Sequence, residues 1–267
     1  MSKINYQTYL CEKERPWVLL IHGLFGSLDN LSALRRGLNG NYNILSVDLP
    51  DHGKSTRTNK FSFDLYATLI IELLAELTIQ KVNIVGHSLG GKVSMNIALK
   101  KPELVQRLVI IDIAPVAYSR SHDSVFLGLD SIPLATITTR NMADDFLKQH
   151  VHELSTRQFL LKSLYQDEDG WHWYFNLALL KRDYLDILAE IKADTVYKGP
   201  TLFIKGELSD YLLPAHRDKI VSLFPNSQSK LIGGTGHWLH AEKPAICLKT
   251  IELFFTKTAS STSGLSA

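Results

Sequence analysis

The sequence predicts an α/β fold: a mostly parallel sheet flanked by helices, with a helical cap inserted near the middle. Three observations predict it. Short runs of branched apolar residues, apolar on both faces, alternate with stretches at helical spacing, as in a sheet covered by helices on both sides. The tight sequence Gly86-His87-Ser88-Leu89-Gly90 lies directly between one such run and one such stretch. From about Pro115 to Lys198 the strand rhythm stops and helical pieces take over, before the alternation resumes.

The elements follow in order. Trp17 to Ile21, bounded by Pro16 and Gly23, reads as a buried strand, and Tyr42 to Val47 repeats it before the loop chemistry of Asp48-Leu49-Pro50-Asp51-His52-Gly53. Residues 63–77 place Leu65, Leu69, Ile70, Leu73, Leu74 and Leu77 on a helix, and Lys81 to Val85 is the next strand. Leu89 to Leu99 is helical and stops at Pro102, and Arg107 to Ile113 is a strand with Asp112 as its polar interruption. In the insertion, aromatics cluster at Trp171, Trp173, Tyr174 and Phe175. Strands at Thr201 to Ile204 and Lys230 to Ile232, with helices at Pro214 to Leu223 and Glu242 to Phe255, complete the core. The expected organisation is a core in two parts, 1–115 and 198–256, a cap over 116–197, and a tail, 257–267, rich in Ser, Thr, Ala and Gly. Such a tail cannot bury a core and is expected to be disordered.

Composition narrows the function classes. With 267 residues, 45% of them hydrophobic, the chain can bury one sizeable core, which excludes a disulfide miniprotein. Lys and Arg total 29 against 27 Asp and Glu, interleaved, so no nucleic-acid partner is expected. Cys11 and Cys247 are far apart and outside metal-binding spacing. His150-Val151-His152-Glu153 lacks a third ligand at familiar spacing and reads as a solvated helix face, so no metal and no other cofactor are expected. The first ten residues lack a basic start before an apolar run, and no stretch is long enough to span a bilayer, which points to a cytoplasmic protein.

The G-x-S-x-G turn carries the chemistry. A serine between strand and helix, with glycines two residues either side, is held on a sharp turn with its hydroxyl exposed at a helix N-terminus. Gly86 through Lys92 also nearly spells a phosphate-binding loop, but Val93 stands where that motif needs Ser or Thr for magnesium. A serine nucleophile needs a base, an acid to orient it and donors for an oxyanion. For the base, His237 ends the glycine-rich loop Gly233 to Gly236 after the last strand, and His240 is the alternative. For the oxyanion, backbone amides in the turn His22-Gly23-Leu24-Phe25 and at Leu89 qualify: Leu24, with Phe25 the other possibility in that turn, and Leu89. For the acid, the G-x-x-D position after the strand at Leu202 holds Ser209, with Asp210 one residue late. Asp112, buried in apolar sequence, needs a reason to be there. Asp112 is taken as the orienting acid, Ser209 as a further partner of the histidine, and Asp210 as the alternative acid. Phe25, Trp173 and Trp238 are candidates for an acyl pocket.

These residues resemble a known family. His22-Gly23, DLPDHGKS at Asp48 to Ser55, GHSLGG at Gly86 to Gly91 and GHWLHAE at Gly236 to Glu242 look like the α/β-hydrolase superfamily. HGLFGSLDN at His22 to Asn30, DIAPV at Asp112 to Val116 and GHWLHAEKP at Gly236 to Pro244 resemble YbfF-type bacterial esterases, relatives of the abhydrolase-domain thioesterase-like proteins. The resemblance covers roughly residues 4–255 and implies a network of Ser88, Asp112, Ser209 and His237 beneath a helical cap. It further implies a serine esterase acting on short acyl esters and acyl-coenzyme A thioesters. A carbon–carbon bond hydrolase and a non-catalytic binder of small ligands are the alternatives on the same fold.

Overall fold

The computed structural model describes residues 4–12 and 14–257, so the tail expected to be disordered lies, but for Lys257, outside the described residues. The chain runs β1 (Tyr6–Tyr9), β2 (Trp17–Ile21), α1 (Ser32–Leu38), β3 (Asn43–Val47), α2 (Phe63–Glu76), β4 (Val82–His87), α3 (Leu89–Lys100) and β5 (Val105–Ile111). An insertion follows with α4 (Asp123–Asp130), α5 (Arg140–Leu147), α6 (Leu154–Leu161), β6 (Leu164–Asp167), β7 (Gly170–Trp173), α7 (Leu177–Arg182) and α8 (Tyr184–Leu188). β8 (Thr201–Gly206), α9 (Arg217–Leu223), β9 (Ser227–Ile232), α10 (Leu239–Glu242) and α11 (Pro244–Thr256) complete the core.

Seven strands form one sheet in the order β1-β3-β2-β4-β5-β8-β9. Six are parallel, and β1 runs antiparallel on β3 at the edge. Its sequence, Tyr-Gln-Thr-Tyr, is largely exposed, which is why a strand here reads as a polar start. Successive side chains of the central strands enter opposite layers. Leu19, Ile21, Ile84 and Ile110 pack with α2 and α3, whereas Val18, Leu20, Val85 and Val109 pack with α1 and α11. Each such burial contributes roughly 2 kcal/mol, and burial on both sides is what makes these runs uniformly apolar.

Two further departures from the expected elements bear on the site and its cover. β5 ends at Ile111 rather than Ile113, and Asp112 leaves the strand with φ 53°, so it stands just past the strand instead of inside it. The insertion is not wholly helical, because β6 and β7 pair as an antiparallel hairpin closed at Gly170, whose φ is 121°. Gly-Trp-His-Trp on β7 alternates half-buried and buried, a period-2 signal too short to stand out from sequence.

Candidate active site

The site lies at the carboxyl ends of β4, β5 and β8, where parallel α/β sheets place their ligands. Ser88 turns from β4 into α3 with φ 52° and ψ −119°, a backbone conformation that costs about 1–3 kcal/mol for a residue with a side chain. The flanking glycines permit the turn. A Cβ on Gly90 would lie 2.7 Å from the Ile21 carbonyl carbon, and one on Gly86 would lie 2.7 Å from the carbonyl carbon of Gly90. Both are backbone neighbours with nowhere to go.

Sheet register places the acid. His87 pairs with Ile111, so Ser88 and Asp112 leave adjacent strands side by side, and the ladder continues past them. The Ser88 amide donates to the Ile111 carbonyl at 3.0 Å, and the Asp112 amide donates to the Ile204 carbonyl at 2.8 Å. Asp112 is fully buried. Its Oδ1 accepts the Gly206 amide at 3.0 Å, and its Oδ2 accepts the Ser209 hydroxyl and lies 2.7 Å from His237 Nδ1. His237 Nε2 is 2.9 Å from Ser88 Oγ. The structure therefore brings Ser88, His237, Asp112 and Ser209 into one hydrogen-bonded chain, with Ser209 touching the carboxylate rather than the imidazole. Asp210 is exposed on the loop beside it, and Asp112 is the acid that meets the histidine.

The His237 loop is pinned from several directions. Glu207 accepts the Gly234 amide at 2.6 Å, Glu242 accepts the Gly236 amide at 3.0 Å, and His87 Nε2 donates to the His237 carbonyl at 3.0 Å. Tyr211 stacks on the His237 ring at 4.0 Å between centroids. Sequence reasoning did not single out Tyr211 because a lone aromatic two residues after Ser209 carries no pattern. His240, the alternative base, is buried against His87 at 4.2 Å and is not the histidine that reaches Ser88.

On the opposite side, Asp48 braces the turn that follows β2, accepting the Leu28 amide at 2.7 Å and the Lys54 amide at 2.9 Å. His22 accepts the Leu49 amide at 3.0 Å and donates to the Gly23 carbonyl at 2.7 Å. The turn drives Phe25 to φ 62°. Leu24 and Leu89 both line the cavity above Ser88, and neither backbone N–H finds a protein acceptor among the described residues. Two such donors beside a serine can hold a developing oxyanion.

That cavity encloses about 1200 Å³ between the sheet and the insertion. Phe25 and Trp238 line it, Trp238 packing on Phe159 at 5.5 Å. Trp173 is not among its lining residues, which corrects the expectation for this side chain. It stacks on Phe175 at 5.0 Å while its carbonyl takes a hydrogen bond from Arg57, so its bulk anchors the hairpin.

The family described as alpha/beta hydrolase fold matches residues 16–244. The chain belongs to the α/β-hydrolase family. It is 36% identical over 252 residues to Esterase YbfF of Escherichia coli, covering 94% of this chain and 97% of that one. It is also 36% identical over 262 residues to the sn-1-specific diacylglycerol lipase ABHD11 of Danio rerio, covering 94% and 82%. A solved marine microorganism esterase superimposes with a TM-score of 0.91 at 29% identity, covering 95% of this chain and all of the other.

In this α/β hydrolase the buried histidines around the site are neutral. Burial lowers the His87 imidazole well below its ordinary range, helped by His240 and His237, and takes His240 and His52 down to about 3. Lys92, one helical turn after Ser88, is also buried. Its Nζ donates to the Ala189 carbonyl at 2.6 Å and to the Leu188 carbonyl at 3.2 Å, tying α3 to the end of α8. Burial pulls this ammonium down to about 7. The lysine of the near phosphate-loop motif is thus committed to protein carbonyls. Among the described residues, no helix of this α/β hydrolase is long and apolar enough to cross a membrane.

Proposed function

We propose that the protein is a serine esterase that hydrolyses carboxylic esters through an acyl-enzyme. The observation that carries this reading is the unbroken chain from Ser88 Oγ to His237 Nε2 at 2.9 Å and from His237 Nδ1 to Asp112 at 2.7 Å. Relatives named as an esterase and a diacylglycerol lipase support the substrate class. Ser88 Oγ attacks the ester carbonyl as its proton passes to His237 Nε2, and Asp112 holds the imidazole tautomer and faces the imidazolium that forms. The Leu24 and Leu89 amides bind the oxyanion, each worth about 3 kcal/mol. The tetrahedral intermediate collapses by expelling the alcohol, which takes the proton from His237. Water, deprotonated by the same histidine, then attacks the acyl-enzyme and releases the acid and Ser88.

The cavity surface favours esters of uncharged alcohols over coenzyme A thioesters. Asp29, Glu153 and Glu242 line it against Lys92 and Lys162, and Lys92 is already engaged with protein carbonyls. A polyanionic leaving group would meet mostly negative charge. The test is hydrolysis of p-nitrophenyl butyrate by wild type and Ser88→Ala, with fluorophosphonate labelling of the serine. Activity and labelling lost together in a folded Ser88→Ala protein support the proposal, and activity retained in that variant refutes it.

A further inference from the structure

The cavity wall beside His237 is polar. Tyr211, stacked on His237, shares it with Ser121, His122 and Tyr184. The His122 ring stands between this group and Phe25, 6.4 Å from the phenylalanine centroid. Its two nitrogens have different surroundings. Nδ1 lies 2.5 Å from the Tyr184 hydroxyl and 3.2 Å from that of Ser121. Both neighbours are hydroxyls, each able to donate or to accept, so Nδ1 is engaged on the protein side whichever tautomer the ring adopts. Nε2 has no hydrogen-bond partner among the described residues, yet it is not sealed in the interior as an orphaned polar atom. His122 lines the cavity, and this free ring nitrogen is the polar group it has to offer there. Burial, with His237 nearby adding to it, lowers this imidazole to about 4, so at neutral pH the ring is uncharged.

The side of the cavity matters. His237 must deliver its proton to the departing alkoxide, so the alcohol portion of the substrate lies on the His237 side. We propose that His122 is a specificity-determining residue whose Nε2 recognises a hydroxyl on the alcohol portion of the ester. The preferred substrates are then esters of hydroxylated alcohols rather than of plain alkyl alcohols. This inference rests on the esterase reading above. A site built around an unpaired polar nitrogen discriminates against the analogue that lacks the matching hydroxyl, because the bound substrate then covers that nitrogen without giving it a partner.

The test uses 2-hydroxyethyl butyrate and propyl butyrate, which share an acyl chain and differ by a hydroxyl in place of a methyl. Each kcat/KM is normalised to the ester's hydroxide-catalysed rate. The wild type is expected to favour the hydroxyethyl ester by about 5- to 10-fold. His122→Phe keeps a ring of similar size and should bring the ratio close to one, mainly by lowering turnover of the hydroxyethyl ester. His122→Gln, which returns a polar amide near the Nε2 position, should recover part of the preference. The ratio is internal to each variant, so partial loss of folded protein cancels. A ratio near one in the wild type, or one unchanged by His122→Phe, overturns the proposal while leaving the esterase reading intact. Wild-type protein unable to hydrolyse p-nitrophenyl butyrate or either test ester overturns both.

Discussion

Replacing Asp112 by Asn sets two requirements of one side chain against each other. Oδ1 accepts the Gly206 amide at 3.0 Å, and Oδ2 accepts the Ser209 hydroxyl and faces His237 Nδ1 at 2.7 Å. An asparagine has one oxygen for these two positions. If its oxygen faces His237, its NH2 meets the Gly206 N–H, a buried donor–donor contact that costs about 1–3 kcal/mol. If its oxygen faces Gly206, its NH2 meets Nδ1 and forces the tautomer with the proton on Nε2, which cannot accept a proton from Ser88. Either way the negative charge beside the imidazolium is gone, and loss of a charge-assisted hydrogen bond adds about 1.5–3 kcal/mol. At about 1.4 kcal/mol per tenfold, kcat on p-nitrophenyl butyrate should fall by about 10²–10⁴. Asp210→Asn, on an exposed residue, should stay within about twofold of wild type. Both variants are compared by initial rates, with circular dichroism to confirm folding. Asp112→Asn retaining a tenth or more of wild-type kcat while Asp210→Asn loses activity would refute the reasoning.

Three further outcomes follow from the packing. Gly90→Ala would set a methyl 2.7 Å from the Ile21 carbonyl carbon, and it should lower stability by at least ~2 kcal/mol in urea unfolding; an unchanged midpoint would contradict the close approach. The Lys92 ammonium, at about 7 in the folded protein against its ordinary 10.5, leaves the unfolded chain holding a proton that the folded chain lacks between those pH values. Wild-type stability should therefore rise with pH across that window relative to Lys92→Met, and a difference between the two denaturation curves that stays flat with pH would contradict it. Trp173→Ala should destabilise the protein by about 3–5 kcal/mol while leaving the preference between p-nitrophenyl acetate and octanoate unchanged, whereas Trp238→Ala should alter that preference; the reverse pattern would return Trp173 to the cavity.

The sequence by itself determined the layers of the fold, because strands buried on both faces must be apolar throughout, as Val18 to Ile21 and Leu108 to Ile111 are. It also determined the turn at Ser88, since Gly86 and Gly90 stand where only glycine lets backbone approach backbone. The loop bearing His237 was legible from its glycines. Sequence favoured Asp112 over Asp210 without excluding the latter, because what separates them depends on sheet order. β5 lies between β4 and β8, so Asp112 emerges beside Ser88 and beneath the Gly206 amide, and a linear reading cannot order strands separated by the insertion. The same limit hid the short hairpin, the edge strand β1, the stacking of Tyr211 on His237 and the withdrawal of Trp173 from the cavity. Hydrophobic periodicity reports which face of an element is buried, whereas these features depend on which buried faces meet, and only the tertiary structure decides that.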